Sequence, residues 1–360
     1  MRQWQATAVP RSLLLLLLPF AAAVSIGSST IGHWASTGLE EVGALRLRGG
    51  AFAPSARPAA GITSRLSRTR SPTAAAGPSL LPVVLCDNGS RRAASHLALR
   101  ETARRLSALL GGREVRPCSL GFSDAIDAAA LGGTPARTLR AELESLAAGG
   151  AAGVVVVPLF LGPSEGLRRG VAECAAVAPP GFEVRLAPCL VADEHPHDTR
   201  VARAMAALVL RTVRRAGLAA PPRVLLTDHG TPSRAVHAVR SRLVREVRSL
   251  LGGRAAAVVG ASMERREGAA YDFNEPLLER ALQQPDELAA EVVVAMAFLL
   301  PGRHAGEGGD VDAIIERARA AAAGRVHVTP LLGAQSLVLS VLADRVREAD
   351  GSLSRPRVPK

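Results

Sequence analysis

Leu226-Thr227-Asp228-His229-Gly230-Thr231 ends an apolar run on a polar turn, and Leu85-Cys86-Asp87-Asn88-Gly89-Ser90 does the same earlier in the chain. A second pair repeats the plan at nearly the same separation, Val157-Pro158-Leu159-Phe160-Leu161 and Ala295-Met296-Ala297-Phe298-Leu299. Between these marks, short apolar runs alternate with longer segments of helical period, the pattern of β-α-β units on a parallel sheet. The runs predict strands at 82–86, 114–118, 154–161 and 183–188, then at 223–227, 256–261, 291–299 and 325–330. Helices are predicted at 95–110, 135–148, 199–215, 233–251, 276–284, 311–323 and 335–347. The order of events is the same twice, so the fold class is α/β, with two tandem flavodoxin-like domains, each a short parallel sheet flanked by helices. The stretch 214–222, with Gly217 and two prolines, marks the boundary. The expected halves are 79–218 and 219–350, followed by a tail over 351–360.

The chain has 360 residues, 48% of them apolar, enough for about two ordinary cores. Its formal charge is +12, yet Lys360 is the single lysine among 44 basic residues, and aromatics make up 3%. Scattered arginines partly offset by glutamate, without a stacking platform, argue against a nucleic-acid partner. Cys86, Cys118, Cys174 and Cys189 show no C-x-x-C pair and no zinc-ligand spacing, so they read as small buried hydrophobes.

Residues 1–78 read as an address. Arg2 and Arg11 precede the apolar run 13–24, which is short for a bilayer span and ends near Ala21, Ala22 and Ala23, as a signal peptide does. Residues 25–78 are rich in Ser, Thr, Ala, Gly and Arg and almost free of acid, as in a transit peptide. Gly50-Ala51-Phe52-Ala53-Pro54 between them resembles the cleavage signature of plastid-targeting leaders. The expectation is a presequence leading to the plastid stroma, with secretion as the alternative and no membrane span in the mature protein.

His229 and His304 both follow predicted strands of the second half, so a parallel sheet brings both imidazoles to one edge despite their separation along the chain. Glu264, after the strand ending near Ala261, points to the same crevice. Two neutral imidazoles and a carboxylate suit Fe²⁺, Co²⁺ or Ni²⁺ and can also accept protons near neutral pH. No G-x-x-x-x-G-K-[ST] loop is present to bind a nucleotide. His195 and His197 read as a polar loop before a helix, His327 as structural and His237 as solvated.

Asp228-His229-Gly230-Thr231 resembles the D-H-G-S opening of the small sirohydrochlorin chelatases, and Phe298-Leu299-Leu300-Pro301-Gly302-Arg303-His304, followed by Gly309-Asp310, resembles their F-L-x-P-G-R-H segment. Thr329-Pro330-Leu331-Leu332-Gly333 resembles their closing segment, and Asp87-Asn88-Gly89-Ser90-Arg91-Arg92 the D-H-G-S-R-R of plant-type members. The resemblance covers about residues 81–350. It implies ATP-independent insertion of a divalent metal, Fe²⁺ or Co²⁺, into sirohydrochlorin on the way to sirohaem or corrinoids. His229, His304 and Glu264 are then the catalytic and metal-handling residues. The metal is substrate, and no tightly bound cofactor is implied.

The first half departs from that pattern. Asn88 stands where the family has its metal-handling histidine, Ser164-Glu165-Gly166 replaces G-R-H, and Asp124 stands near the place of Glu264. This half is therefore expected to have lost metal chemistry and to serve as a pocket wall. There Arg91, Arg92, Arg168 and Arg169 are candidates to pair with the ring carboxylates. The alternative reading is a non-catalytic tetrapyrrole or metal carrier. The sequence also leaves open a homodimer sharing one site.

Overall fold

The computed structural model describes residues 80–284, 291–321 and 325–351. The expected presequence over 1–78 and all of the tail except Gly351 lie outside them. All described residues fall in one compact unit, Pro72–Lys360.

Two four-stranded parallel sheets form. The first holds β1 (Val83–Asp87), β2 (Val115–Ser119), β3 (Gly153–Pro158) and β4 (Glu183–Leu186) in the order β2-β1-β3-β4. The second holds β5 (Arg223–Asp228), β6 (Ala257–Ser262), β7 (Val292–Met296) and β8 (Val326–Val328) in the order β6-β5-β7-β8. The strand order reverses beside β1 and beside β5, so each sheet has its topological switch point, where open α/β sheets bind ligands, at the carboxyl ends of these strands. All five residues of β1 and all five of β7 are buried, because helices cover both faces of each sheet.

The helices are α1 (Ala93–Leu109), α2 (Leu139–Ala148), α3 (Glu165–Ala176), α4 (Arg200–Ala216), α5 (Arg234–Leu251), α6 (Leu278–Leu282), α7 (Asp310–Ala321) and α8 (Ser336–Ala349). Every predicted strand and helix has its counterpart, and α3 was not anticipated. It is short and carries Gly166 and Gly170, but Ser164 caps it by accepting the Leu167 amide at 3.0 Å.

Strand periodicity divides the core. Val83 and Leu85 of β1 and Val224 and Leu226 of β5 face one continuous core between the sheets. Val84 and Cys86 face the outer layer of α2 and α3, and Leu225, Val292 and Val294 that of α6 and α7. Leu85, Leu99, Leu208 and Leu226 are at most 2% exposed, and each such burial contributes about 2 kcal/mol. The closing helices cross over: α4 packs against α5, α8 and strand β7, while α8 packs against α1 and strand β3. The closing helix of each half thus packs on the sheet of the other half.

The 192–199 loop is tied down by this crossing. Arg242 of α5 donates to the carbonyls of Ala192, His195, Pro196 and Asp198, and His195 Nε2 meets Glu348 Oε2 of α8 at 2.8 Å. Asp198 accepts from Arg200 at 2.8 Å and from Arg345, whose side chain is 2% exposed, at 3.1 Å. Burial pushes the Asp198 carboxyl up, but the bonds from Arg200 and the charge of Arg345 outweigh it and hold the carboxyl below its ordinary range. Asp198→Ala is expected to cost about 3–5 kcal/mol in urea unfolding at pH 7, since Arg345 loses its bonded counter-charge. A depressed carboxyl stabilises the fold above its unfolded pKa. The penalty should therefore fade as pH falls below about 4.

Candidate functional site

Asp228 closes β5 and anchors the turn that follows. Its Oδ1 accepts from the Gly230 amide at 3.1 Å, the Ser262 hydroxyl at 2.9 Å and Arg240 at 3.3 Å. Arg240 is itself buried and donates to the Phe273 carbonyl, the Asn274 carbonyl and the Ser262 hydroxyl. Asn274 closes the turn from the other side, accepting from the Thr231 amide and donating to the Thr231 carbonyl, both at 2.9 Å. Gly230 sits at φ +89°, and a Cβ there would lie 1.9 Å from the Glu264 carbonyl oxygen, so only glycine permits this approach. The Glu264 amide in turn donates to the His229 carbonyl at 3.1 Å, which fixes Glu264 beside His229.

The two histidines come together as their order along the sheet predicts. Their ring centroids are 4.5 Å apart, edge to face at 73°. His229 Nδ1 lies 3.1 Å from the Gly230 carbonyl, and a neutral imidazole donates that bond, leaving the Nε2 lone pair toward Glu264 Oε1 at 3.4 Å. Two electron-pair donors at that separation call for a cation, proton or metal, between them. His304 Nδ1 lies 2.7 Å from Asp310 Oδ2 at the start of α7, an orienting carboxylate that frees Nε2 for a ligand. Among the described residues no group of three or more His, Cys, Asp and Glu side chains is placed to hold an ion. The imidazole pair, with Glu264 on one side, is an open set.

A cavity of about 620 Å³ opens between the two switch points, a size suited to a sizeable organic ligand. Asp87, residues 88–92 and Phe122 form one wall, and residues 298–305, including His304, the other. A smaller space of about 240 Å³ adjoins His229, and Asn88 borders both. Arg91 lines the larger cavity. Arg92 instead reaches across it and donates to the Glu307 and Gly308 carbonyls at 3.4 and 3.0 Å, joining the first half to the loop that carries His304.

Other expectations need correcting. Arg168 and Arg169 pair with Glu165 and Glu173 on the exposed side of α3 and line neither cavity. The first-half position equivalent to Glu264 is Gly121 rather than Asp124: a Cβ on Gly89 would meet the Gly121 carbonyl oxygen just as one on Gly230 would meet that of Glu264. His237 is not solvated. It stacks edge-on against Phe273 at 5.1 Å and meets Arg240 at 3.1 Å, and burial followed by the Arg240 charge lowers its pKa. His327 meets Glu291 at 3.0 Å at the sheet edge. The four cysteines are buried in the core of the first sheet, and burial pushes the Cys189 thiol up to about 12. Asp310 and Asp87 were not singled out by sequence reasoning. Asp87 is buried, and the absence of a partnering cation lets burial push its carboxyl up to about 6.

With this geometry in hand, residues 223–349 match the CbiX family model. This stretch of the chain is thus similar to the CbiX family. No curated protein matches the chain. Among solved structures, SirB from Bacillus subtilis with Fe³⁺ superposes with a TM-score of 0.55 at 14% identity, over 76% of this chain and 97% of that one. The sirohydrochlorin chelatase SirB from Bacillus subtilis subspecies spizizenii in complex with cobalt gives the same values. CbiX, the terminal enzyme of sirohaem biosynthesis in denitrifying bacteria, gives 0.50 at 19% identity, over 76% of this chain and all of that one. These likenesses show a shared fold extending over both sheets. The matched stretch holds His229, Glu264, His304 and Asp310. No helix among the described residues is long and apolar enough to cross a membrane.

Proposed function

We propose that this protein inserts a divalent metal into sirohydrochlorin without ATP, with Fe²⁺ the favoured ion and Co²⁺ the alternative. The observation that carries the reading is the edge-to-face pair of His229 and His304, each with Nδ1 committed and Nε2 available, at a cavity walled by both halves. An ion held by two imidazoles with open positions can be handed on, which a closed four-ligand cage opposes. Glu264 assists as ligand or base beside His229. The CbiX match and the chelatases among the structural neighbours support the substrate class. The reading of residues 1–78 as a plastid address favours iron, because sirohaem equips the nitrite and sulfite reductases of that compartment. Arg91 is proposed to meet a ring carboxylate.

The test is anaerobic absorbance of sirohydrochlorin with the full-length chain and Fe²⁺, and separately Co²⁺. Conversion faster than the uncatalysed rate supports the chelatase and ranks the metals. Tight binding of the ring without acceleration makes the protein a carrier and sinks the catalytic reading. A further expected result concerns Asp310. Asp310→Asn removes the negative charge that orients His304. It should weaken Co²⁺ binding or turnover by about 10–100-fold, read from titration of the cobalt visible bands.

A further inference from the structure

The two halves keep the same aspartate in opposite surroundings. Asp87 and Asp228 end equivalent strands, pair in register with Ser119 and Ser262, and precede glycines at φ +88° and +89°. Asp228 meets Arg240 at 3.3 Å. The residue at the matching place on α1, found by the same offset that relates Asp87 to Asp228, is Leu99, which is fully buried. Asp87 has thus kept its burial without the cation. Its Oδ1 is buried with no hydrogen-bond partner among the described residues, although the residue lines the 620 Å³ cavity whose other wall carries His304.

Metal insertion releases two pyrrole N–H protons for each ion gained. His229 and His304 offer one uncommitted lone pair each, and a nitrogen holding the ion cannot also take a proton. A proton acceptor on the cavity wall is then needed, and Glu264, placed beside His229, lines neither cavity, whereas Asp87 lines the larger one. We propose that Asp87 is a catalytic proton acceptor of the reaction, taking a pyrrole proton from the first-half wall while the second-half imidazoles hold the ion.

This inference rests on the chelatase reading. In the step, a pyrrole N–H bond breaks and an O–H bond forms on Asp87, while the electron pair stays on nitrogen and becomes a metal ligand. The second proton passes to water, so two protons leave for the two charges that enter. The groups facing Asp87 are the Ser119 hydroxyl and the Gly89 amide, and its charge also reaches the Cys118 thiol. Arg91, Arg92, Arg303 and His304 line the same cavity. With its carboxyl pushed up to about 6 by burial, Asp87 is mostly ionised at pH 7 and close to the range where proton transfer is efficient.

The experiment compares the full-length chain with Asp87→Asn and Asp87→Glu between pH 5 and 8.5. It measures anaerobic sirohydrochlorin conversion with Co²⁺, Co²⁺ affinity, sirohydrochlorin affinity by fluorescence quenching, and thermal melts to confirm folding. The expected result is an acid limb near pH 6 in the unsubstituted chain. Asp87→Asn should lose at least 30-fold in rate together with that limb, with both affinities within twofold, and Asp87→Glu should recover part of each. An Asp87→Asn rate within threefold of the unsubstituted chain with the limb intact overturns the proposal, as does a loss confined to sirohydrochlorin affinity. If the unsubstituted chain itself gives no acceleration, the chelatase reading fails and the inference falls with it, a different outcome visible before any variant is made.

Discussion

Replacing His229 and His304 together with alanine is expected to reduce metal insertion to the uncatalysed rate while leaving the fold intact. Each imidazole presents a free Nε2, and removing either leaves the ion with one strong nitrogen ligand and an open shell that water refills. Loss of a positioned acid-base or ligand group typically costs about 10²–10⁴-fold in rate. The two acting on one ion should be strongly non-additive, so either single variant removes most of the activity. The side chains are 45% and 30% exposed, hence stability should change by only about 0.5 kcal/mol. Turnover and a urea melt on the same preparation check both halves of this expectation.

The second large effect concerns stability. The Asp87 carboxyl ordinarily titrates at 3.8 and is raised to about 6 in the fold, a difference worth about 3 kcal/mol. Below pH 3.8 the group is neutral whether folded or unfolded, and the fold carries no penalty. As pH rises through about 6 the folded chain must hold a buried carboxylate without a cation, and that stability is lost. Asp87→Asn should therefore stabilise the protein by up to about 3 kcal/mol above pH 7 and by almost nothing near pH 4, measured by urea unfolding at the two pH values. A difference independent of pH would show that Asp87 gains its partners elsewhere. Lower activity with higher stability in one substitution is what a functional carboxyl held at an energetic cost produces.

How much of this was legible in the sequence follows from which interactions are local. The alternation of apolar runs and helical segments, and the repeat of Asp87-Asn88-Gly89 in Asp228-His229-Gly230, announced two parallel sheets and placed His229 and His304 at one edge. Strand period and turn chemistry are properties of adjacent residues, so they survive in one sequence. The crossing of α4 and α8 was hidden, because an apolar helical face shows that something covers it without showing which sheet does. Helix α3 was missed because its glycines weaken the helical pattern, while its Ser164 cap acts through a single hydrogen bond. Asp124 lies near the place that spacing suggests for a counterpart of Glu264, but Gly121 occupies it. The true correspondence is set by the close approach of Gly89 to the Gly121 carbonyl, which spacing alone does not reveal. Arg92 was read as a ligand contact, yet its partners are the Glu307 and Gly308 carbonyls, in the other half of the chain. Asp310 stood within the recognised segment, and only the folded loop brings it to 2.7 Å from His304.

The central claim is that His229 and His304 hold the same ion. X-ray absorption at the cobalt edge, on the full-length chain with one equivalent of Co²⁺ and no sirohydrochlorin, tests it most directly. Two imidazole ligands are predicted, falling to one in either His229→Ala or His304→Ala. An imidazole count that neither substitution changes would place the ion elsewhere on the chain and contradict the account.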